Sequence, residues 1–333
     1  MNGTVSVIIP CYNGEKFIDQ SIESVYIQDH ASIELIVVDD ESTDDSAERI
    51  KAWEQRFAQK GFTLIYVYQK NRGLGGAIDT GLKYVTGDYL SLLDADDIYL
   101  QGAVRKKAEF LDKHPEYAGV RNNGWRVSGK DRWLFITSDE EKRITDLFTA
   151  LSFGKTNNWA GTYMVRTNIL FGAYPDRNIN PSRLGQNFQI VLPVAYGRKF
   201  GYIDEPLMEY RIQPESHAYA RDLEIQYKKS IVNSNGWRDI YRSVLSWLIL
   251  DDEERAYFLN GYDSAFYRAA MNRAIAHGVK RDAWSNYKCL KKTGYMSLDD
   301  RITYYRSLNF AIAMPLRILR KIRNTLNLMW TTR

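Results

Sequence analysis

The chain has 333 residues, 44 % of them hydrophobic and 26 % charged, with a formal net charge of +4. This composition excludes a disordered or fibrous chain, and the mild charge gives no reason to expect a nucleic-acid partner. The length allows one nucleotide-sized α/β domain plus a further lobe.

Short β-branched runs at residues 5–9, 35–39, 63–68 and 89–93 alternate with helical periodicity at 15–28, 46–59, 75–85 and 100–114. That alternation predicts a parallel sheet covered by helices on both faces. Right-handed crossovers then bring every strand's carboxyl end to one rim, where open α/β sheets bind ligands. From 119 to 213 aromatics, Asn and Gly mix among short strands, as in a loop-rich acceptor lobe. After 218 the chain turns helical, and Tyr227, Ile231, Trp237, Ile240, Tyr241, Val244 and Leu248 recur at helical spacing as a core face. The resulting division is 1–118 and 119–217, the two halves of one α/β domain, followed by a helical region over 218–333.

The final segment interleaves Arg317, Arg320, Lys321, Arg323 and Arg333 with apolar residues. It reads either as a basic amphipathic helix in peripheral contact with an anionic membrane, or as a docked helix with a solvated basic face. No run approaches 18 apolar residues, so no spanning helix is predicted. Cys11 and Cys289 match no metal or redox spacing, and the first residues carry no leader pattern, so the expected location is cytoplasmic.

The sharpest local signal is Leu92-Leu93-Asp94-Ala95-Asp96-Asp97, closing the fourth strand. Asp94 and Asp96, one small residue apart, can converge on a hard cation, Mn²⁺ or Mg²⁺, while Ala95 leaves room for a ligand. A plainer reading makes Asp97 the N-cap of the following helix. Asp39 and Asp40, ending the second strand, suit base or ribose contacts, whereas Ser42, Thr43 and Asp44 suit capping of the next helix. In Asn71-Arg72-Gly73-Leu74-Gly75-Gly76 the glycines permit a tight turn that brings backbone near a ligand, with Arg72 reaching a nucleotide. A purely structural turn is the alternative. Tyr12 can flank a base and Asn13 hydrogen-bond it, or both belong to an ordinary turn after Pro10.

Together, VSVIIPCYNGEKFIDQSIESVYIQ, ELIVVDDESTD, NRGLGGAIDTGL and GDYLSLLDADD resemble the family 2 glycosyltransferases of GT-A fold in order and spacing, over residues 4–115. The resemblance implies a Rossmann-like, mostly parallel α/β sheet with a helical C-terminal extension. It implies a nucleotide-sugar donor, commonly a UDP-sugar, bound by Pro10, Tyr12, Asn13, Glu15, Asp39, Asp40, Arg72 and Gly73, with Asp94 and Ala95 beside it and metal on Asp94 and Asp96. It implies inversion by direct displacement onto a saccharide or lipid-linked acceptor, and a later His, here His217, joining the metal or the diphosphate.

The family's catalytic base is the Asp of a Glu-Asp pair opening a helix, and Asn187 stands at that place. An amide cannot take the proton. Either Asp176 serves, or Asn187 only positions a hydroxyl whose proton leaves to water, or the acceptor is already anionic. Rival readings are a nucleotide-sugar binder without catalysis and a nucleotidyltransferase. The latter lacks its basic Gly-rich loop after the first strand.

Overall fold

The computed structural model describes residues 3–212 and 223–308. Strands β1 (Val5–Cys11), β2 (Ile33–Asp40), β3 (Thr63–Gln69) and β4 (Tyr89–Leu92) lie parallel in the order β3-β2-β1-β4. β1 and β2 are buried along their whole length, which is why their sequences run apolar without alternation. The polar exceptions inside this sheet satisfy one another. Ser6 Oγ donates to Glu34 Oε1 at 2.7 Å, and the Glu34 carboxylate also accepts from the backbone and hydroxyl of Thr86.

Beyond β4 the sheet continues through β8 (Tyr163–Arg166), β6 (Tyr117–Ser128), β9 (Lys199–Arg211) and β5 (Ile98–Tyr99), while β7 (Asp131–Leu134) pairs with β6. β8 is antiparallel to both β4 and β6, and β9 runs parallel to β6 with register shifts near Asn122 and Asn123.

Helices α1 (Ile18–Tyr26), α2 (Ser46–Lys51), α3 (Glu54–Lys60), α4 (Gly73–Leu82) and α5 (Ala103–Lys113) accompany the first strands. The single helix expected over 46–59 breaks at Trp53, whose buried indole donates to Asp19 and packs edge-on to Phe57. The helix expected from residue 100 begins at Ala103, because Gly102 takes a left-handed conformation (φ 78°) and β5 intervenes. Asp97 is therefore not its N-cap. The short helices α6 (Asp139–Lys142), α7 (Leu147–Ser152) and α8 (Thr167–Ala173) precede α9 (Gln186–Ala195), and α10 (Leu223–Trp247), α11 (Asp252–Ala276), α12 (Lys280–Lys292) and α13 (Leu298–Leu308) follow.

Of the described residues, those up to 151, 155–212 and 239–250 form one compact unit, and 152–154, 223–238 and 251–308 form another. The two halves expected to meet at 118/119 share one sheet, since β6 belongs to the same sheet as β1. The first unit's core is built from Val7, Ile9, Leu35, Val37, Leu93 and Met164 with the inner faces of α1 and α5. The second unit gathers Tyr227, Met271, Ala274, Tyr287, Leu290 and Tyr304. Of the aromatic face predicted on α10, Tyr227, Ile240, Tyr241 and Val244 are buried, whereas Trp237 is 46 % exposed. Among the described residues no helix is long and apolar enough to cross a membrane, and the basic segment 309–333 lies outside them.

One buried cation stands in the first unit without a carboxylate. Lys107 Nζ donates to Gly161 O at 3.0 Å and to Ser91 Oγ at 3.5 Å and sits 4.5 Å from the Tyr99 ring centroid. Burial brings its ammonium down to about 7. The unfolded chain therefore holds a proton that the fold gives up between about pH 7 and the ordinary lysine range. In that window stability rises with pH. We expect Lys107→Met to flatten this rise in urea titrations run between pH 7 and 10; an unchanged slope would show that Lys107 does not set it.

Candidate functional site

The carboxyl ends of β1, β2, β3 and β4 share one edge, so the loops after them meet there. The turn after β4 is closed by Asp97 N donating to Asp94 O at 3.1 Å, and Ser21 Oγ of α1 donates to the same carbonyl at 3.3 Å. Asp94, Ala95 and Asp96 are half-buried, and Asp97 is buried. Burial, then the charge of Asp96, pushes the Asp94 carboxyl up to about 7. Burial also raises Asp96, partly countered by its own backbone N–H and by the nearby Arg211 guanidinium. Asp97 is raised well above the carboxylate range by burial and by the charges of Asp94 and Asp96.

Asp97 is spent on the fold. Its Oδ1 accepts from Arg211 N at 3.0 Å, docking the end of β9, while its Oδ2 is buried without a hydrogen-bond partner. Accumulated negative charge, hard oxygen donors and an orphaned carboxylate oxygen fit a divalent cation held by Asp94 and Asp96. Among the described residues no set of three or more His, Cys, Asp or Glu that could hold a metal ion assembles. His217 lies outside the described residues.

The other loops divide into groups that hold the edge together and groups left to face it. Residues 13–15 and 42–46 are laced: Asn13 N donates to Ser42 Oγ, Asn13 Oδ1 accepts from Thr43 N at 2.8 Å, Gly14 N donates to Ser46 Oγ at 2.8 Å, and Glu15 N donates to Asp44 Oδ2 at 3.0 Å. Asn13 adopts φ 50°, a conformation an Asx side chain tolerates. Ser42 and Thr43 thus tie two loops together instead of capping α2. Tyr12 is left 55 % exposed beside this lacing, and Pro10 is buried in β1.

Asp39 accepts from Ser42 N and from Tyr66 OH, both at 2.8 Å. The Asp40 carboxylate is engaged mostly within the fold. Oδ1 accepts from Gln69 Nε2 at 2.6 Å and Arg72 N at 2.8 Å, and Oδ2 accepts from Gly73 N at 2.8 Å. It fixes the turn into α4 and keeps one lone pair, on Oδ2, beyond these bonds. Arg72 folds back along α4 onto Asp79 Oδ2 at 3.1 Å and Thr80 Oγ1 at 3.3 Å. The glycine run also serves the fold: Gly75 N donates to Ser182 O at 2.9 Å, and a Cβ at Gly75 would lie 2.1 Å from that oxygen. At Gly75 the close approach is to the chain's own backbone.

On the far side of Asp94, Gly161 N donates to Leu92 O at 2.6 Å, which seats the 159–162 turn against the end of β4. Trp159 stacks on Phe135 with centroids 4.2 Å apart, and Arg126 lies over both rings. Tyr163 follows. Its hydroxyl donates to Asn187 Oδ1 at 2.8 Å, and it is held protonated by burial and by the charge of Asp94. Asn187 occupies the first turn of α9, so the structure brings it to the Asp94 edge through Tyr163.

Asp176 is placed elsewhere. Thr167, opening α8, donates its hydroxyl to the carbonyls of Gly87 and Asp88 at the amino end of β4, and Arg177 donates to Val85 O at 2.8 Å. Asp176 is exposed beside the C-terminal end of α4, at the opposite edge of the sheet from Asp94. Sequence reasoning missed Tyr163, Arg211 and Ser21. Tyr163 and Arg211 lie outside the quoted motifs and are brought in by strand pairing, whereas Ser21 lies within the first motif and reaches the edge from α1.

The sequence model of Glycosyl transferase family 2 matches residues 6–210, and the chain belongs to that family. An uncharacterized glycosyltransferase of Nostoc sp. is 27 % identical over 62 % of this chain and 64 % of its own length. An uncharacterized glycosyltransferase of Rickettsia felis is 32 % identical over 65 % of this chain and 34 % of its own. The minor teichoic acid biosynthesis protein GgaB of Bacillus subtilis is 35 % identical over 64 % of this chain and 23 % of its own. The chain thus spans less than two thirds of each of these relatives. Among solved structures, S. aureus TarS 1-349 in complex with UDP-GlcNAc superposes with a TM-score of 0.64 at 17 % identity, over 94 % of this chain and 89 % of that one. The mannosyltransferase PcManGT of Pyrobaculum calidifontis, in complex with GDP-Man and Mn²⁺, superposes with a TM-score of 0.50 at 17 % identity, over 96 % of this chain and 87 % of that one. The fold is therefore of GT-A type.

The hydrogen bonds of Asp40 carry a stability consequence. Asp40→Ala strands one buried and one part-buried backbone N–H, so thermal or urea unfolding should register a loss of about 3 kcal/mol. A loss below ~0.5 kcal/mol would return Asp40 to the ligand-contact reading.

Proposed function

We propose that this family 2 glycosyltransferase is an inverting, cation-dependent enzyme that moves a sugar from a nucleoside diphosphate donor, a UDP-sugar, to a saccharide or lipid-linked acceptor of a surface polysaccharide or glycolipid. The observation that carries the reading is the Asp94-Ala95-Asp96 turn at the sheet edge, whose half-buried carboxylates repel one another. Support for the donor class comes from the TarS complexes with UDP-GlcNAc and UDP, and support for the acceptor class from the name of GgaB. When bound, the cation supplies positive charge to the phosphate oxygens of the departing diphosphate.

The chain's own residues do the rest. Asp94 and Asp96 would hold the cation, and Asp39 and Tyr12 border the nucleotide side. Asn187 orients the acceptor: with its amide oxygen taken by Tyr163 OH, it presents N–H donors and accepts no proton. The N-terminal turn of α9 adds the positive end of a helix dipole at the same place. Donors and dipole together favour the reading in which the attacking oxygen arrives already negative, as on a phosphate of a lipid-linked acceptor. A role for Asp176 as base is not carried forward, since it lies at the opposite edge.

Asp96→Ala should lower transfer at least a hundredfold while leaving the circular-dichroism spectrum unchanged. UDP release from a UDP-sugar with Mn²⁺ separates this reading from a binder without catalysis, which would release none. Asn187→Asp discriminates the acceptor. A neutral hydroxyl nucleophile would gain a base and kcat would rise, whereas an anionic one would be repelled. We expect kcat to fall about tenfold or more.

A further inference from the structure

The helical unit contains a cleft of about 290 Å³ that the transferase reading does not use. α10, α11 and α12 line it with Arg238, Arg273, Asn235, Asp282, Ser285 and Asn286, backed by the rings of Tyr227, Phe266 and Tyr267. Its two arginines differ. Arg238 is matched by Asp263 through two 2.7 Å bonds and by Tyr267 OH at 2.9 Å, so its charge is neutralised within the wall.

Arg273 has no such partner. Its single hydrogen bond, from Nη1 to Ser230 O, is long at 3.3 Å, its Nε is buried without any acceptor, and it forms no ion pair among the described residues. A guanidinium carries five donors in a fixed fork, and one that is partly desolvated and uncompensated is costly until an anion meets it. Around it are groups able to bind hydroxyls. Asn235 and Ser285 make no side-chain hydrogen bond to the described residues, Asn286 donates to Asp282 O and keeps its amide oxygen, and Asp282 has only Oδ2 engaged, by Tyr227 OH at 2.8 Å.

We propose that this cleft is a binding site for a phosphorylated small polyol or sugar, with the phosphate on the Arg273 guanidinium and hydroxyls on Asn235, Asp282, Ser285 and Asn286. Its volume lies just below the range typical of drug-sized ligand pockets, which suits a small phosphorylated molecule. The site is thus distinct in chemistry from the donor site at the sheet edge, and the inference does not depend on the transferase reading.

The test titrates the full chain, with UDP present throughout, by calorimetry with glycerol 3-phosphate, inorganic phosphate and glycerol. Saturable binding of glycerol 3-phosphate is expected, with inorganic phosphate weaker and glycerol weaker still. Arg273→Met should weaken glycerol 3-phosphate at least tenfold, and Arg273→Lys, which keeps the charge without the fork, by less. Asn235→Trp places bulk at an exposed rim position and should block binding even if the Arg273 variants fold poorly. Equal binding by the parent and Asn235→Trp, equal affinity for glycerol and its phosphate, or no binding at all would each overturn the proposal. UDP affinity, measured separately on the same variants, should not change. Its loss in the parent protein would count against the transferase reading alone.

Discussion

Negative charge packed at the tip of β4 is the constraint around which the edge of this sheet is organised. Three carboxylates within four residues follow an apolar strand; the charge of Asp96 raises the cost of ionising Asp94, and both raise that of Asp97. Such an arrangement persists only where the backbone is held from several directions. Leu93 N donates to Ile8 O, Gly161 N to Leu92 O, Ser21 Oγ to Asp94 O, and Arg211 N to Asp97 Oδ1. β1, α1, β9 and the 159–162 turn therefore all converge on one short segment. The unfavourable electrostatics are local, and the buried apolar strands beneath supply the stability that tolerates them.

That view separates two kinds of polar residue at the rim. Asn13, Glu15, Asp40, Ser42 and Asp44 point at other protein groups and make the loops rigid, which keeps the edge at a defined shape. Tyr12, Asp94 and Asp96 keep unsatisfied capacity. Asp39 stands between the classes, because Tyr66 OH and Ser42 N leave lone pairs on its carboxylate. A rigid frame of satisfied polar groups around a few unsatisfied ones is what positions a ligand without reorganisation on binding.

The strands of the first half were legible because burial on both faces demands apolar β-branched runs, and 5–9, 35–39, 63–68 and 89–93 all fall within or at the ends of observed strands. Helix starts were less so. Nothing local shows that Trp53 turns inward to Asp19, or that Gly102 takes a left-handed conformation. At the site, residue type pointed to the acids but not to their partners: Asp40 reads like Asp39 until the Gln69 and Gly73 contacts are in place. Tyr163 and Arg211 were invisible because their relevance comes from antiparallel β8 and from β9, strands late in the sequence that pair far from their chain neighbours.

The Asn187 substitution is best understood together with Tyr163. A carboxylate at 187 would sit near Asp94 in a region already raising acid protonation, and its hydrogen bond from Tyr163 would compete with its duty as a base. An amide there adds no charge and accepts the phenol's hydrogen bond. The site then contains two carboxylates suited to a cation and a donor set suited to an anion, which divides the edge by sign of charge. In the proposed reading, a nucleophile that carries its own negative charge would meet the donor side and need no proton acceptor, so an amide in place of the Asp would remove a repulsion as well as a base.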